Sequence, residues 1–440
     1  MAQSVGAMDY AAADTKPPLD PGVRMRLSVM MFLQFAVWGS WAIVFSNYLT
    51  ATPAQGGLGF SDAQAGVVGG TMALGAIISM MFAGQLADRV LSSEYLMAIF
   101  HIAGAGLLYA MANVHSFGTL WWISLAYALV YNPTLAIANS LAFANIPDAT
   151  RDFPTLRVLG TIGWIAAGMV GLDMILGPAA KTTNKPLLMA AGLSVALGLF
   201  SLALPHTPPS GKKAGALPFL RAFKLLLDPS FGIFFAISFV ITIALAFYYT
   251  WAGVFLQDIG IKAVGTTMSI GQWSEIGFML LLPFALKRFG MKGVLIVGMA
   301  AWALRYALFS AGFAWRSSSG AMALIIAGVA LHGVCFDFFL AAGFIHTDNK
   351  APASIRGSAQ ALFSFLTYGA GMWIGGVLSG YVVKHYNVNA VRDWSMIWVW
   401  PAVGAAFCLL VFMALWKDKP GKLQEADAEL VTGAVGVPLE

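Results

Sequence analysis

Charge is what this chain lacks. Only 10% of its 440 residues are Asp, Glu, Lys or Arg, whereas soluble domains carry about 25%. From Tyr95 to Ile146 there is no charged side chain at all. With 59% hydrophobic residues and a mean hydropathy of +0.76, a water-soluble core is excluded. The bilayer must be the solvent for most side chains. Cysteine is equally scarce. Cys335 and Cys408 both lie in apolar runs, which excludes a disulfide scaffold, and no paired Cys/His motif suggests a metal site. The net charge of +5 is scattered over short loops, so nucleic acid is not an expected partner. There is no nucleophile with its base and no metal cluster, so an enzyme is not expected. No stretch between the apolar runs is long enough for a signalling domain. The first twenty residues lack the apolar stretch and cleavage site of a signal peptide, so the first apolar run is expected to be retained as a helix.

What is present is a series of long apolar runs. A helix needs roughly 20 apolar residues to cross a bilayer, and twelve candidates are found near 27–49, 63–87, 95–113, 118–145, 155–176, 186–204, 230–256, 264–286, 292–314, 320–345, 355–383 and 394–416. The expected fold is all-α, with twelve transmembrane helices in two six-helix bundles. Residues 1–26 form an N-terminal segment, 27–204 the first bundle, 205–228 a linker, 229–416 the second bundle and 417–440 a tail expected to be disordered. Within the linker, Leu217 to Leu227 reads as a short amphipathic helix with Arg221 and Lys224 on its polar face. With both termini inside, seventeen Lys and Arg fall on the cytoplasmic side and six on the outer side. That bias predicts an even number of spans in a plasma or inner membrane, with both ends cytoplasmic.

The halves echo one another. Gly84-Gln-Leu-Ala-Asp88-Arg89 follows the second span, and Leu286-Lys-Arg-Phe-Gly290 follows the eighth. Pro154-Thr-Leu-Arg157 opens the fifth, and Pro352-Ala-Ser-Ile-Arg356 the eleventh. Repeated six-helix units with a site between them are the architecture of secondary transporters.

A charge at bilayer depth costs about 3 kcal/mol unless it is paired or hydrated, so the few buried charges carry the chemistry. Glu275 is the only one between Ala263 and Leu286, and Asp337 the only one between Ser317 and Thr347. Gln272 and Glu275 are three apart and share a helix face. They offer an amide and a carboxylate to a polar solute; the alternative is an ion pair with Arg305. Asp337 sits in Cys335-Phe336-Asp337-Phe338-Phe339. There it is placed to load and release a proton as water access alternates, or to bundle helices by a hydrogen bond. Arg157, Thr161 and Trp164 form one helical stripe, suited to a ligand with an aromatic ring and carbonyl groups; otherwise Arg157 is an edge gate. Arg305 reads as structural, bonded to a carboxylate or a backbone carbonyl. His332 is a ligand, a proton shuttle or a satisfied core histidine. Gln34, Trp38 and Trp41 line one region of the first helix, with the tryptophans read as packing. Asn132-Pro133 is expected to kink the fourth.

The Gly84-x-Leu-x-Asp88-Arg89 segment resembles the conformational loop signature of the major facilitator superfamily, with Val90-Leu91-Ser92 in place of the usual following basic residues. Longer strings resemble the nucleoside:proton symporter family within it. They are Phe32-Leu-Gln34-Phe-Ala-Val-Trp38-Gly-Ser-Trp41, Tyr131-Asn-Pro133-Thr-Leu, Asp152-Phe-Pro154-Thr-Leu-Arg157-Val-Leu-Gly160-Thr161-Ile-Gly163, Ser269-Ile-Gly-Gln272-Trp-Ser-Glu275, Ala301-Trp-Ala-Leu-Arg305-Tyr-Ala-Leu-Phe309 and Phe336-Asp337-Phe338-Phe339. The resemblance implies an alternating-access carrier moving a nucleoside with a proton, and no cofactor beyond that proton. It implies substrate contacts at Arg157, Thr161, Trp164, Gln272, Glu275 and Phe336, and proton coupling at Asp337, with Glu275 a second candidate. Trp164 replaces a phenylalanine. Ala246 and Tyr249 stand where the family carries a glutamine and an asparagine, and His332 replaces a tyrosine. Tyr249 and His332 are therefore also expected at the substrate site. The alternative cargo is another neutral polar solute, a sugar or a modified nucleoside. A monomer is expected.

Overall fold

The computed structural model describes residues 17–79, 91–209, 218–352 and 355–417. The expected loop signature at Gly84, Asp88 and Arg89, Lys212 and Lys213 of the linker, and the tail after Lys417 lie outside the described residues.

The helices follow the apolar runs closely. They are α1 (Pro21–Thr50), α2 (Asp62–Gly69 continued by Thr71–Ser79), α3 (Ser93–Asn113), α4 (Phe117–Ala144), α5 (Ala149–Ala166 continued by Ala167–Leu176), α6 (Lys185–Ser201), α7 (Pro229–Asp258), α8 (264–289), α9 (291–314), α10 (Ala321–Lys350), α11 (Arg356–His385) and α12 (Trp394–Leu415). Helices α8 and α9 run on in sequence, but Gly290 breaks them with φ 66° and ψ 174°, a conformation that favours glycine. Both Ser274 and Trp302 hydrogen-bond to carbonyls of α10, those of Ala330 and Cys335. The chain therefore folds back at Gly290 as a hairpin. The linker carries a tight helix at Pro218–Leu227, burying Ala222 and Leu225.

One expectation needs correction. Pro154 does not open α5, because the helical run already starts at Ala149; a proline this near a helix start costs only one internal hydrogen bond. Pro133 lies inside α4, which spans Phe117 to Ala144. The neighbouring Asn132 side chain donates to the Met72 and Ala128 carbonyls, tying α4 to α2.

Helices α1–α6 and α7–α12 form two halves. Among the described residues, the hydrogen bonds and ion pairs joining them lie on the face opposite the termini. There Arg392, from the short hairpin of β1 (Asn387–Val388) and β2 (Val391–Arg392), bonds Asp62 of α2 at 2.7 Å and Asp258 of α7 at 3.1 Å. Asn47 donates to Gln257 and to the Gly253 carbonyl. Asp173 of α5 accepts from the Thr266 amide at 2.6 Å, so one half caps the first turn of α8 in the other. Glycines let the backbones meet beneath these bonds. A Cβ on Gly66 would lie 2.6 Å from the Gly376 carbonyl oxygen and from the Gly380 Cα. Small residues at such contacts are the usual means of close helix approach in membranes.

Candidate functional site

The buried charges meet where the halves face one another. From the first half, α5 presents Arg157, its guanidinium 4.2 Å from the centroid of the Phe35 ring of α1. One and two turns on, Thr161 and Trp164 are half-buried. Trp164 lies edge-on to Trp38 at 5.2 Å. Its backbone presses on α1 at Gly39, where a Cβ would lie 2.9 Å from the Trp164 Cα. The α5 stripe is thus braced by α1.

From the second half, α8 presents Gln272 and Glu275, both half-buried. The Glu275 carboxylate lies within electrostatic range of Arg157 across the divide. It lies 3.7 Å from Nε2 of His332. His332 in turn accepts at Nδ1 from the Arg305 guanidinium at 3.2 Å. Since a guanidinium only donates, the ring proton of neutral His332 is on Nε2, facing Glu275. His332 therefore stands between the carboxylate and Arg305, and no direct Glu275–Arg305 pair forms. Arg305 is fully buried and lies 3.3 Å above the centroid of Tyr248. Its expected carboxylate or carbonyl partner is absent among the described residues: an aromatic face and an imidazole take that place, leaving Nε and Nη2 without a hydrogen bond. The compensation is cation–π attraction, worth about 2 kcal/mol when desolvated.

His332 stacks on Tyr248 at 5.3 Å and meets Tyr249 edge-on at 6.1 Å. Phe336 follows one turn later, 5.9 Å from His332. The next residue, Asp337, is fully buried, and neither carboxylate oxygen has a hydrogen-bond partner among the described residues. It occupies a π-helical turn, Phe336–Ala341; such turns are rare and frequent at functional sites. Glycine 298 of α9 lets that turn come close: a Cβ there would sit 2.8 Å from the Phe338 carbonyl carbon. The expected helix-bundling bond from Asp337 is not made.

Every expected substrate residue thus lies on α5, α7, α8 or α10. His332, Glu275, Tyr249 and Phe336 form one cluster, with Arg157 opposite. Trp164 is tied instead to Trp38. Ala246 does not line the site; it packs under α11, where a Cβ on Gly375 would lie 2.6 Å from its methyl. The position has become a helix contact. Sequence reading missed Tyr368. It sits in a second π-helical turn, Phe365–Gly371 of α11, within electrostatic range of Glu275, Arg157 and Asp337 together. Its only signal was a hydroxyl in an uncharged, glycine-rich run. Tyr248 was missed for the same reason.

Two six-helix halves around a buried, incompletely paired set of charges define a secondary transporter. Residues 22–420 match the nucleoside H+ symporter family, and the chain belongs to it. Similar proteins of Escherichia coli K12 include YegT, 38% identical over 93% of this chain and 99% of that one, and the xanthosine permease, 33% identical over 89% and 95%. The solved structure of the nucleoside transporter NupG is 31% identical, with a TM-score of 0.81 over 90% of this chain and all of that one. More distant transporters, at 12–15% identity and TM-scores of 0.67–0.70, share the fold. The fold is that of the major facilitator superfamily, as expected.

Proposed function

We propose that the protein carries nucleosides into the cell together with protons, that Asp337 loads and releases the coupling proton, and that the cargo lies between Arg157 and the Glu275–His332 pair. The observation that carries this reading is the full burial of Asp337 with neither oxygen partnered among the described residues. An unpaired buried carboxylate costs several kcal/mol and favours its neutral form. A group in that state exchanges a proton whenever water reaches it. Arg157, Thr161 and Trp164 on one side, and Tyr249, Gln272, Glu275, His332 and Phe336 on the other, supply donors, acceptors and stacking surfaces for a base and a ribose. Tyr368 completes the second wall.

The loop-charge bias supports placing both termini in the cytoplasm of the inner membrane, with the protein a monomer. On that orientation the face closed by Arg392 is the outer one. The cycle then alternates which face is sealed, and proton and cargo each raise affinity for the other.

Uptake of labelled nucleosides into proteoliposomes tests this. Accumulation against a gradient that collapses on adding a protonophore is the expected result. Equal uptake with and without a proton gradient would remove the coupling. A second reading has its own observation: Tyr249 and His332 line the site, and Ala246 has been withdrawn into a helix contact. A competition panel of sugars and modified nucleosides separates the cargoes.

A further inference from the structure

The first half contains a buried histidine outside the charged cluster. His101 of α3 is 1% exposed. Its Nε2 lies 2.8 Å from the Gln34 side-chain oxygen of α1, and its Nδ1 lies 3.1 Å from the Ser194 hydroxyl of α6. Gln34 is fully buried and donates its amide to Thr134 of α4 at 2.7 Å. Tyr131 of α4 donates its hydroxyl to the Gln34 carbonyl at 2.8 Å. Because the Gln34 amide nitrogen is engaged by Thr134, its oxygen faces His101. The His101 proton then resides on Nε2, and the Ser194 hydroxyl shares its one hydrogen between Nδ1 and the His101 backbone carbonyl, 2.8 Å away. No Asp, Glu, Lys or Arg takes part in these bonds, so the network is a neutral scaffold.

Its place in the fold is telling. Gln34 immediately precedes the two braces of the α5 stripe. Phe35, the next residue, lies under Arg157, and Trp38, one turn on, meets Trp164. Tyr131 lies 6.1 Å from both His101 and Trp38. Fixing Gln34 from α3 and α4, with α6 holding His101 behind it, therefore fixes the rotation of α1 about its own axis, and with it the surface against which Arg157 and Trp164 rest. One residue of α1 looks into the scaffold while its neighbours look at the site.

We propose that His101 is a positioning residue of the substrate site: through Gln34 it holds α1 in the rotation that supports Arg157 and Trp164. The proposal rests on the reading that Arg157 and Trp164 contact cargo.

Two substitutions test it, using the nucleoside that the unaltered protein carries fastest in proteoliposomes. His101→Leu removes both hydrogen bonds and is expected to raise KM about tenfold while kcat stays within about twofold, because a displaced support weakens binding more than turnover. His101→Gln keeps a donor for Gln34 and an acceptor for Ser194, and is expected to restore KM. Trp164→Ala raises KM by itself, and the double variant with His101→Leu falls short of the product of the two effects, as coupled positions do. An unchanged KM in His101→Leu, or effects that multiply in full, would overturn the positioning role. An unchanged KM in Trp164→Ala would instead overturn the substrate-site reading. If His101→Leu does not reach the membrane, Ser194→Ala takes its place, with a KM raised about threefold expected and an unchanged KM decisive against the proposal.

Discussion

Each half of the molecule holds a buried histidine, and the two live differently. His101 is bonded at both ring nitrogens, and its neighbours Gln34, Thr134, Ser194 and Tyr131 all have side-chain hydrogen bonds. Around His332 they are missing among the described residues: its own Nε2 and two nitrogens of Arg305 lack them, as do both oxygens of Asp337 five residues on. A satisfied network in low dielectric is rigid and costly to disturb, whereas an unsatisfied one costs free energy that a ligand or proton can recover. The comparison teaches that polarity alone does not mark a working site; buried ionisable groups without partners do. The His101 network is a frame, and the His332 cluster, with Arg157 facing it, holds the charges.

The comparison is broken most directly at Asp337. Asp337→Asn is expected to abolish concentrative uptake, a loss of about a hundredfold or more in accumulation, while counterflow exchange persists. A mutant that still concentrates substrate would dismiss Asp337 as the coupling group. Glu275→Gln keeps the shape but removes the charge facing Arg157 and His332. Binding of labelled nucleoside to purified protein should weaken about tenfold or more, with thermal stability little changed, since no buried partner is left charged and facing it at contact distance. The frame should respond in the opposite currency. Gln34→Leu strands the Nε2–H of His101 and is expected to lower stability by about 1–3 kcal/mol, visible as a lower midpoint in a thermal unfolding assay in detergent. If Glu275→Gln destabilised the protein more than Gln34→Leu, the division into frame and working cluster would fail. The smallest effect is expected at the sealed face. Arg392→Ala removes bonds to Asp62 and Asp258 and should raise labelling by an impermeant maleimide about threefold at a cysteine replacing Thr250, which lies on α7 against Gly69 of α2 beneath that face. No change would mean that the backbone contacts alone hold that face shut.

Much of the fold was legible because a bilayer leaves few options. A run such as Tyr95 to Ile146 has nowhere else to go, and the helix ends among the described residues fall within a few residues of those read from hydropathy, apart from earlier starts at α1 and α5 and a later end at α10. The hairpin at Gly290 was legible as two runs parted by Lys287, Arg288 and Gly290. Glu275 and Asp337 were legible because a lone charge in an apolar run needs a reason. Partners were not legible. That Arg305 rests on Tyr248, that Ala246 packs beneath Gly375 and that Asp173 caps α8 all depend on how helices distant in sequence are rotated, and periodicity carries no such information. Tyr368 and the scaffold around His101 escaped for a related reason: neutral polar side chains cost little at bilayer depth and so leave no anomaly in the sequence.

The glycine seam between α2 and α11 has a practical consequence. Where Gly66 meets Gly376 and Gly380, one backbone rests on another with no side chain between them, so there is nothing to rearrange before the surfaces part. A single methyl group placed there is a wedge the protein cannot absorb. Gly66→Ala would act as a doorstop, holding the vestibule ajar on the side that is shut here, and offers the experimenter a handle on the opposite conformation.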